Sequence, residues 1–164
     1  MRKLFSNGLV VIAGVVSLPI PGTHADAKAP AAEHRDQPQR DPRLARLRKF
    51  FQRSQCPAAD HSPAFLAAAD ANELDWRLLP SISFVESTGG KAARNNNIFG
   101  WDSGHAGYSS MDACIHSVAF SLANSILYRD KDVDGILRTY NPDAEYAGKV
   151  KSVMRRIAPK EDVD

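Results

Sequence analysis

This 164-residue chain has no long hydrophobic run, no strong excess of charge of either sign and no internal repeat. Its 21 Lys+Arg nearly balance 19 Asp+Glu, a formal net charge of +2, which gives no basis for a general nucleic-acid binder. The longest apolar stretch, Leu9 to Leu18, is too short to span a bilayer comfortably and is cut off by Pro19 and Pro21. Several catalytic signatures are also missing. There is no nucleophile elbow, no phosphate-cradling glycine loop and no zinc-protease helix, and Ser87 has no nearby His in sequence to suggest a triad. What is present, 43% hydrophobic and 24% charged residues, is ordinary globular usage and excludes disorder of the whole chain. The length suits one compact domain plus a tail.

Residues 1–25 read as a secretory signal. Arg2 and Lys3 give a positive start, the apolar stretch follows, and Pro19, Pro21 and Gly22 end it before the small-residue sites Thr23-His24-Ala25 and Ala25-Asp26-Ala27. A retained membrane anchor is the alternative. No Cys marks a lipid attachment site there. A periplasmic or secreted protein is expected, cleaved near Ala25 or Ala27.

The near-neutral total is a cancellation. Residues 28–53 hold 8 basic and 3 acidic residues, a net of +5, whereas 54–164 hold 11 and 15, a net of −4. Residues 26–42, rich in Ala, Pro, Gln and charge, read as a flexible linker. A helix is expected from Asp41-Pro42 across 43–55, with Leu44, Leu47, Phe50 and Phe51 at spacings of three and four and basic residues over the rest of its surface. That helix either docks on the domain with a solvated basic face or holds an anionic envelope polymer or lipid headgroups through residues 43–53.

The two cysteines, Cys56 and Cys114, suggest a disulfide in an exported protein. Such a bridge, closing a loop of 58 positions, would contribute about 4 kcal/mol in the chain-entropy model. His61 and His116 lie near them in sequence, but neither spacing matches a zinc pattern, so no metal and no cofactor is expected.

From residue 56 to about 160 the pattern is that of a mainly α domain. Ser62-Pro63 suits an N-cap and first turn, and Asp75 precedes a segment with Trp76, Leu78, Leu79, Ile82, Phe84 and Val85 that Gly89-Gly90 ends. Residues 91–109 carry dense turn signals and predict a small loop or β excursion. Helical periodicity returns at Met111, Ile115, Val118, Leu122 and Ile126, then at Val133 to Tyr140, and at Tyr146 to Ile157.

Within this pattern Glu86 falls four positions after Ile82 and seven after Leu79, which predicts a place on their apolar face. A carboxylate there loses hydration, stays protonated more readily, and can donate to a leaving glycosidic oxygen. An exposed last-turn Glu without a role is the alternative.

Glu86-Ser87-Thr88-Gly89-Gly90-Lys91, then Asn96-Asn97-Ile98-Phe99-Gly100-Trp101, resembles the glucosaminidase domain of bacterial peptidoglycan hydrolases. That domain is the mannosyl-glycoprotein endo-β-N-acetylglucosaminidase-like group of the lysozyme-like superfamily. Tyr140-Asn141-Pro142 and Tyr146-Ala147 look like the Tyr-Asn and Tyr-Ala elements of lysozyme-like transglycosylases. The resemblance covers about residues 56–158. It implies a helical lysozyme-like fold with a groove for amino-sugar polymers, Glu86 as general acid, and peptidoglycan glycan strands as partner.

Under the same resemblance Phe99 and Trp101 would wall the groove, unless they are core of the small lobe. Asn96 and Asn97 would bind acetamido or hydroxyl groups or shape the turn, with Ser87 and Tyr146 also beside substrate. Tyr140 would hold the reacting sugar or pack. The stretch between Gly100 and Met111 is short for a lobe carrying a second carboxylate. Asp102 is the nearest candidate base or nucleophile and Asp112 the next, and His105 is read as solvent-exposed. Endo-β-N-acetylglucosaminidase activity is the first expectation. The alternatives are a lytic transglycosylase or muramidase, and a non-catalytic wall-binding protein.

Overall fold

A computed structural model of the protein describes residues 41–159. The expected export signal, and all but the last two residues of the expected linker, lie outside the described residues. Six α-helices carry the fold: α1 (Pro42–Arg53), α2 (Ser62–Ala71), α3 (Leu78–Ser87), α4 (Met111–Asn124), α5 (Val133–Tyr140) and α6 (Tyr146–Ile157). The fold is mainly α, as expected, and among the described residues there is no strand. The excursion over 91–109 is a loop with one isolated bridge between Arg94 and Asn97. No helix among the described residues is long and apolar enough to cross a membrane.

Side-chain caps start α1, α4 and α5. Asp41 caps α1 by accepting from the Arg43 N–H at 2.9 Å, and Pro42 needs no N–H in the first turn. Ser110 and Asp132 cap α4 and α5 in the same way. Ser62 differs from expectation: it lies inside α2, and its hydroxyl donates back to the Ala59 carbonyl at 2.8 Å. Pro80 falls in the first turn of α3, where a missing donor does little harm. Thr88, left-handed at φ 53°, ends that helix, and Gly89 follows at φ 60°. A Cβ on Gly89 would stand 2.8 Å from that of Cys56, so only glycine fits there.

The core is shared by all six helices. Helix α1 belongs to it: Leu47 and Phe51 are fully buried, and Phe51 stacks on Phe65 of α2 with centroids 5.6 Å apart. Helix α2 packs on α4, and α3 on α6. Ion pairs tie α1 to α2, Arg43 to Asp70 at 2.7 Å, and α5 to α6, Asp134 to Lys151 at 2.7 Å. Buried Arg77 pairs with Asp75 at 2.6 Å and donates to the Ala158 carbonyl, which fixes the end of α6. Each such bond matters because an unpaired buried guanidinium would be costly.

Two expectations are corrected here. Cys56 and Cys114 do not form a disulfide; both thiols are free and buried. Cys56 packs against Gly89 and Phe51, and Cys114 lies under the backbone of Ile98 and Phe99, so each sulfur has its own place in the core. Burial pushes the Cys114 thiol up to about 11, while the backbone of Ile98 and Phe99 pulls the other way. Ile126 is not on the apolar face of α4, because the helix ends at Asn124 and Ile126 is 80% exposed.

Candidate active site

Glu86 occupies the last turn of α3. It is exposed, which corrects the expectation of a desolvated carboxylate on the apolar face. Tyr146, at the start of α6, donates its hydroxyl to Glu86 Oε1 at 2.7 Å. The Tyr146 phenol is pushed well above its ordinary value, first by burial and then by the hydrogen bond and negative charge of Glu86. It therefore remains a protonated donor. The other carboxylate oxygen, Oε2, faces Gly100, where a Cβ would meet it at 3.3 Å. Gly100 has φ 61°, so its backbone and its closeness to Glu86 both call for glycine.

A row of aromatic rings leads away from the carboxylate. Tyr146 and Tyr140 are stacked with centroids 5.9 Å apart and planes 7° off parallel. Tyr140 lies 5.8 Å from Trp101, and Trp101 lies 6.0 Å from Tyr128. Tyr140 donates its hydroxyl to the Phe99 carbonyl. Its phenol is raised by burial and by the charge of Glu86, so it too stays neutral. Trp101, Tyr128 and Tyr140 line a cavity of about 570 Å³ with Gly100, Asp102 and Leu127. A second concavity, of about 750 Å³, lies between α3 and α6 with Val85, Glu145 and Lys149 in its wall. Neither Glu86 nor Tyr146 is in the wall of either concavity; Tyr146 stacks on Tyr140 of the first wall, and their sequence neighbours Val85 and Glu145 stand in the second.

The loop that carries Trp101 is held by its own asparagines. Asn97 Oδ1 accepts from the Trp101 N–H at 2.9 Å, and its Nδ2 donates to the carbonyls of Trp101 and Ala106. Asn96 Nδ2 donates to the Tyr108 carbonyl at 2.9 Å. Asn95 and Asn96 adopt φ 51° and 59°, a region asparagine tolerates better than most residues. The amides of Asn96 and Asn97 hold the loop in shape. Ser87 is likewise buried: its hydroxyl donates to the Ile98 carbonyl at 2.7 Å and accepts from the Gly90 N–H at 3.0 Å, pinning the loop to α3. Phe99 is fully buried against Phe65 and cannot wall a groove. Ser87, Asn97 and Phe99 are buried with their polar atoms or ring turned into the protein, and Asn96 is half-buried with its Nδ2 engaged.

Asp102 is exposed in the cavity wall, at φ 54°. His105, also exposed, donates to the Asp102 backbone carbonyl. Asp112 is paired with His61 at 2.6 Å, joining the starts of α4 and α2, which removes it from the site. His116 is exposed on α4. No group of three or more His, Cys, Asp or Glu side chains able to hold a metal occurs among the described residues. Sequence reasoning missed Tyr128, whose only local signal is an aromatic in a turn after α4, and Gly100 as a contact of Glu86.

Compared with known proteins, the chain matches no family model, no curated protein and no solved structure.

Proposed function

We propose that this protein is an exported hydrolase of peptidoglycan glycan strands, of the endo-β-N-acetylglucosaminidase type, with Glu86 as its general acid. The observation that carries the reading is the Glu86–Tyr146 pair at the end of an aromatic row beside an open cavity. Aromatic faces suit the apolar faces of sugar rings, and a carboxyl group beside them is what protonation of a glycosidic oxygen requires.

The two carboxylate oxygens have different surroundings. Oε1 is engaged by Tyr146, so Oε2, beside Gly100, is the oxygen left to carry and deliver the proton. A glycan lying across Glu86 would displace its water and bring the scissile oxygen to the carboxyl group. Trp101 and Tyr140 would seat neighbouring sugars and hold the scissile bond over Oε2. Asp102, in the same cavity wall, is the candidate to orient water or act as the second carboxylate. The enzymatic runner-up, a lytic transglycosylase or muramidase, is favoured by the identity of Glu86's partner, which is a tyrosine and not a second acid.

Clearing of purified cell wall by Glu86→Gln tests the reading. Loss of clearing with retained folding and wall binding is expected. Clearing at the parent's rate overturns it. A parent protein that binds glycan and releases no product would be a non-catalytic wall-binding protein.

A further inference from the structure

The two concavities near Glu86 and Tyr146 differ in charge. The wall of the first, with Trp101, Tyr128 and Tyr140, carries an acid at Asp102, and its Gly100 lies beside Glu86 Oε2. A carboxylate brought into that cavity would meet like charge at Asp102. The second, between α3 and α6, carries two cations, Lys149 and Arg156, together with Glu145. On α6 the residues Glu145, Lys149, Ser152 and Arg156 recur at intervals of four, three and four, a single stripe that starts at the Tyr146 end of the helix. On α3, Phe84 and Val85 complete the wall and immediately precede Glu86 in the chain.

Arg156 is seated in advance. Its guanidinium carbon lies 5.4 Å from the centroids of both Phe50 and Phe84, rings that are themselves 5.1 Å apart. A cation held on two rings has lost part of its side-chain freedom, so less ordering remains when an anion arrives. A guanidinium fork also matches a carboxylate two bonds at a time. Lys149 is paired with Glu145 at 3.1 Å. That pair is an exposed one between successive helix turns, which water and salt weaken, so an incoming carboxylate exchanges for Glu145 at little cost.

A peptidoglycan strand alternates N-acetylglucosamine, which is uncharged, with N-acetylmuramic acid, which carries a peptide branch bearing free carboxylates. We propose that the α3–α6 concavity binds this acidic peptide branch through Arg156 and Lys149, and that the Trp101 cavity takes the branch-free sugar. Because the sugars alternate, such a division sets the register of the strand and brings one of its two kinds of glycosidic bond to Glu86. The inference rests on the glycan reading above.

The test uses soluble glycan strands with their peptide branches intact and the same strands after the branches have been removed. Equilibrium binding is measured on purified Glu86→Gln protein, and product release on the parent. Branched strands should bind about fivefold tighter, with the preference shrinking as salt is added. Arg156→Gln and Lys149→Gln, each added to Glu86→Gln, should cut that preference about threefold and leave the affinity for branch-free strands unchanged. Glu145→Gln, which releases Lys149 from its pair, should widen the preference. Lys149 is exposed, so its variant decides the matter if Arg156→Gln folds poorly. Lys131→Gln, an exposed cation before α5, is the control for net charge and should change nothing. Equal binding of the two strands, failure of either to bind, or equal weakening of both by the variants overturns the proposal. A preference for branched strands without product from the parent would defeat the glycan-cleavage reading and leave this one standing. Product without a preference would do the reverse.

Discussion

Replacing Tyr146 by Phe removes one hydroxyl and leaves the ring. In the parent that hydroxyl donates to Glu86 Oε1 at 2.7 Å, while the ring stacks on Tyr140 and is buried to 4% exposure. A hydrogen bond to a charged group contributes about 1.5–3 kcal/mol. Glu86 is exposed, so water takes over part of the lost bond and the lower end of that range applies. About 1.5 kcal/mol lost in the transition state is roughly a tenfold fall in kcat. KM should change less, because the rings that would seat the sugars are retained. The assay is steady-state release of reducing ends from a soluble glycan fragment, with thermal unfolding measured alongside. A kcat equal to the parent's in a folded Tyr146→Phe protein refutes the claim that Tyr146 positions the acid. So does a loss confined to KM.

Three more outcomes follow from the same geometry. Gly100→Ala should lower activity far more than Gly104→Ala: both positions have positive φ, at a strain of about 1–2 kcal/mol each, but only a Cβ at Gly100 meets Glu86 Oε2, whereas nothing lies within 4 Å at Gly104. Equal losses would show that strain alone is at work. Phe99→Ala should lose about 3–5 kcal/mol of stability in urea unfolding, since its side chain is fully buried, whereas Trp101→Ala should chiefly raise KM. Titration of thiols in the unfolded protein purified without reductant should find both Cys56 and Cys114 free. Cys114 also sets a pH dependence. Its folded value, about 11, exceeds the unfolded 9.0, so the unfolded chain gives up this proton first and stability falls as pH rises from about 9 towards 11. The part due to Cys114 approaches about 2–3 kcal/mol, so the fall should be shallower by that amount in Cys114→Ala, with the raised tyrosines supplying the remainder above pH 10.

Much of the fold was legible in the residues. Asp41-Pro42 marks the start of α1, Pro80 lies where a proline is tolerated, and the period of Leu47, Phe50 and Phe51 is the buried face of α1. Periodicity misled where an element ended. Ile126 continues the spacing of α4, but the backbone leaves the helix at Ser125 and turns the side chain to solvent. Glu86 shows the same limit: it shares the spacing of Leu79 and Ile82 and is nonetheless exposed, while Ser87 beside it is buried.

The site was half legible. Glu86, Trp101, Tyr140 and Tyr146 come together, but the bond between Glu86 and Tyr146 joins residues 60 positions apart, and no local pattern encodes it. Ser87, Asn97 and Phe99 have residue types that suit sugar contact, and only their burial reveals that they build the loop instead. The expected disulfide came from counting two cysteines. Counting cannot tell whether two buried sulfurs face each other.

The most direct measurement is mass spectrometry of the fragments released from purified peptidoglycan by the parent protein and by Glu86→Gln. New reducing N-acetylglucosamine ends from the parent, absent with Glu86→Gln, are the predicted result. Intact glycan strands after treatment with the folded parent, or the same new ends from Glu86→Gln, would contradict the account.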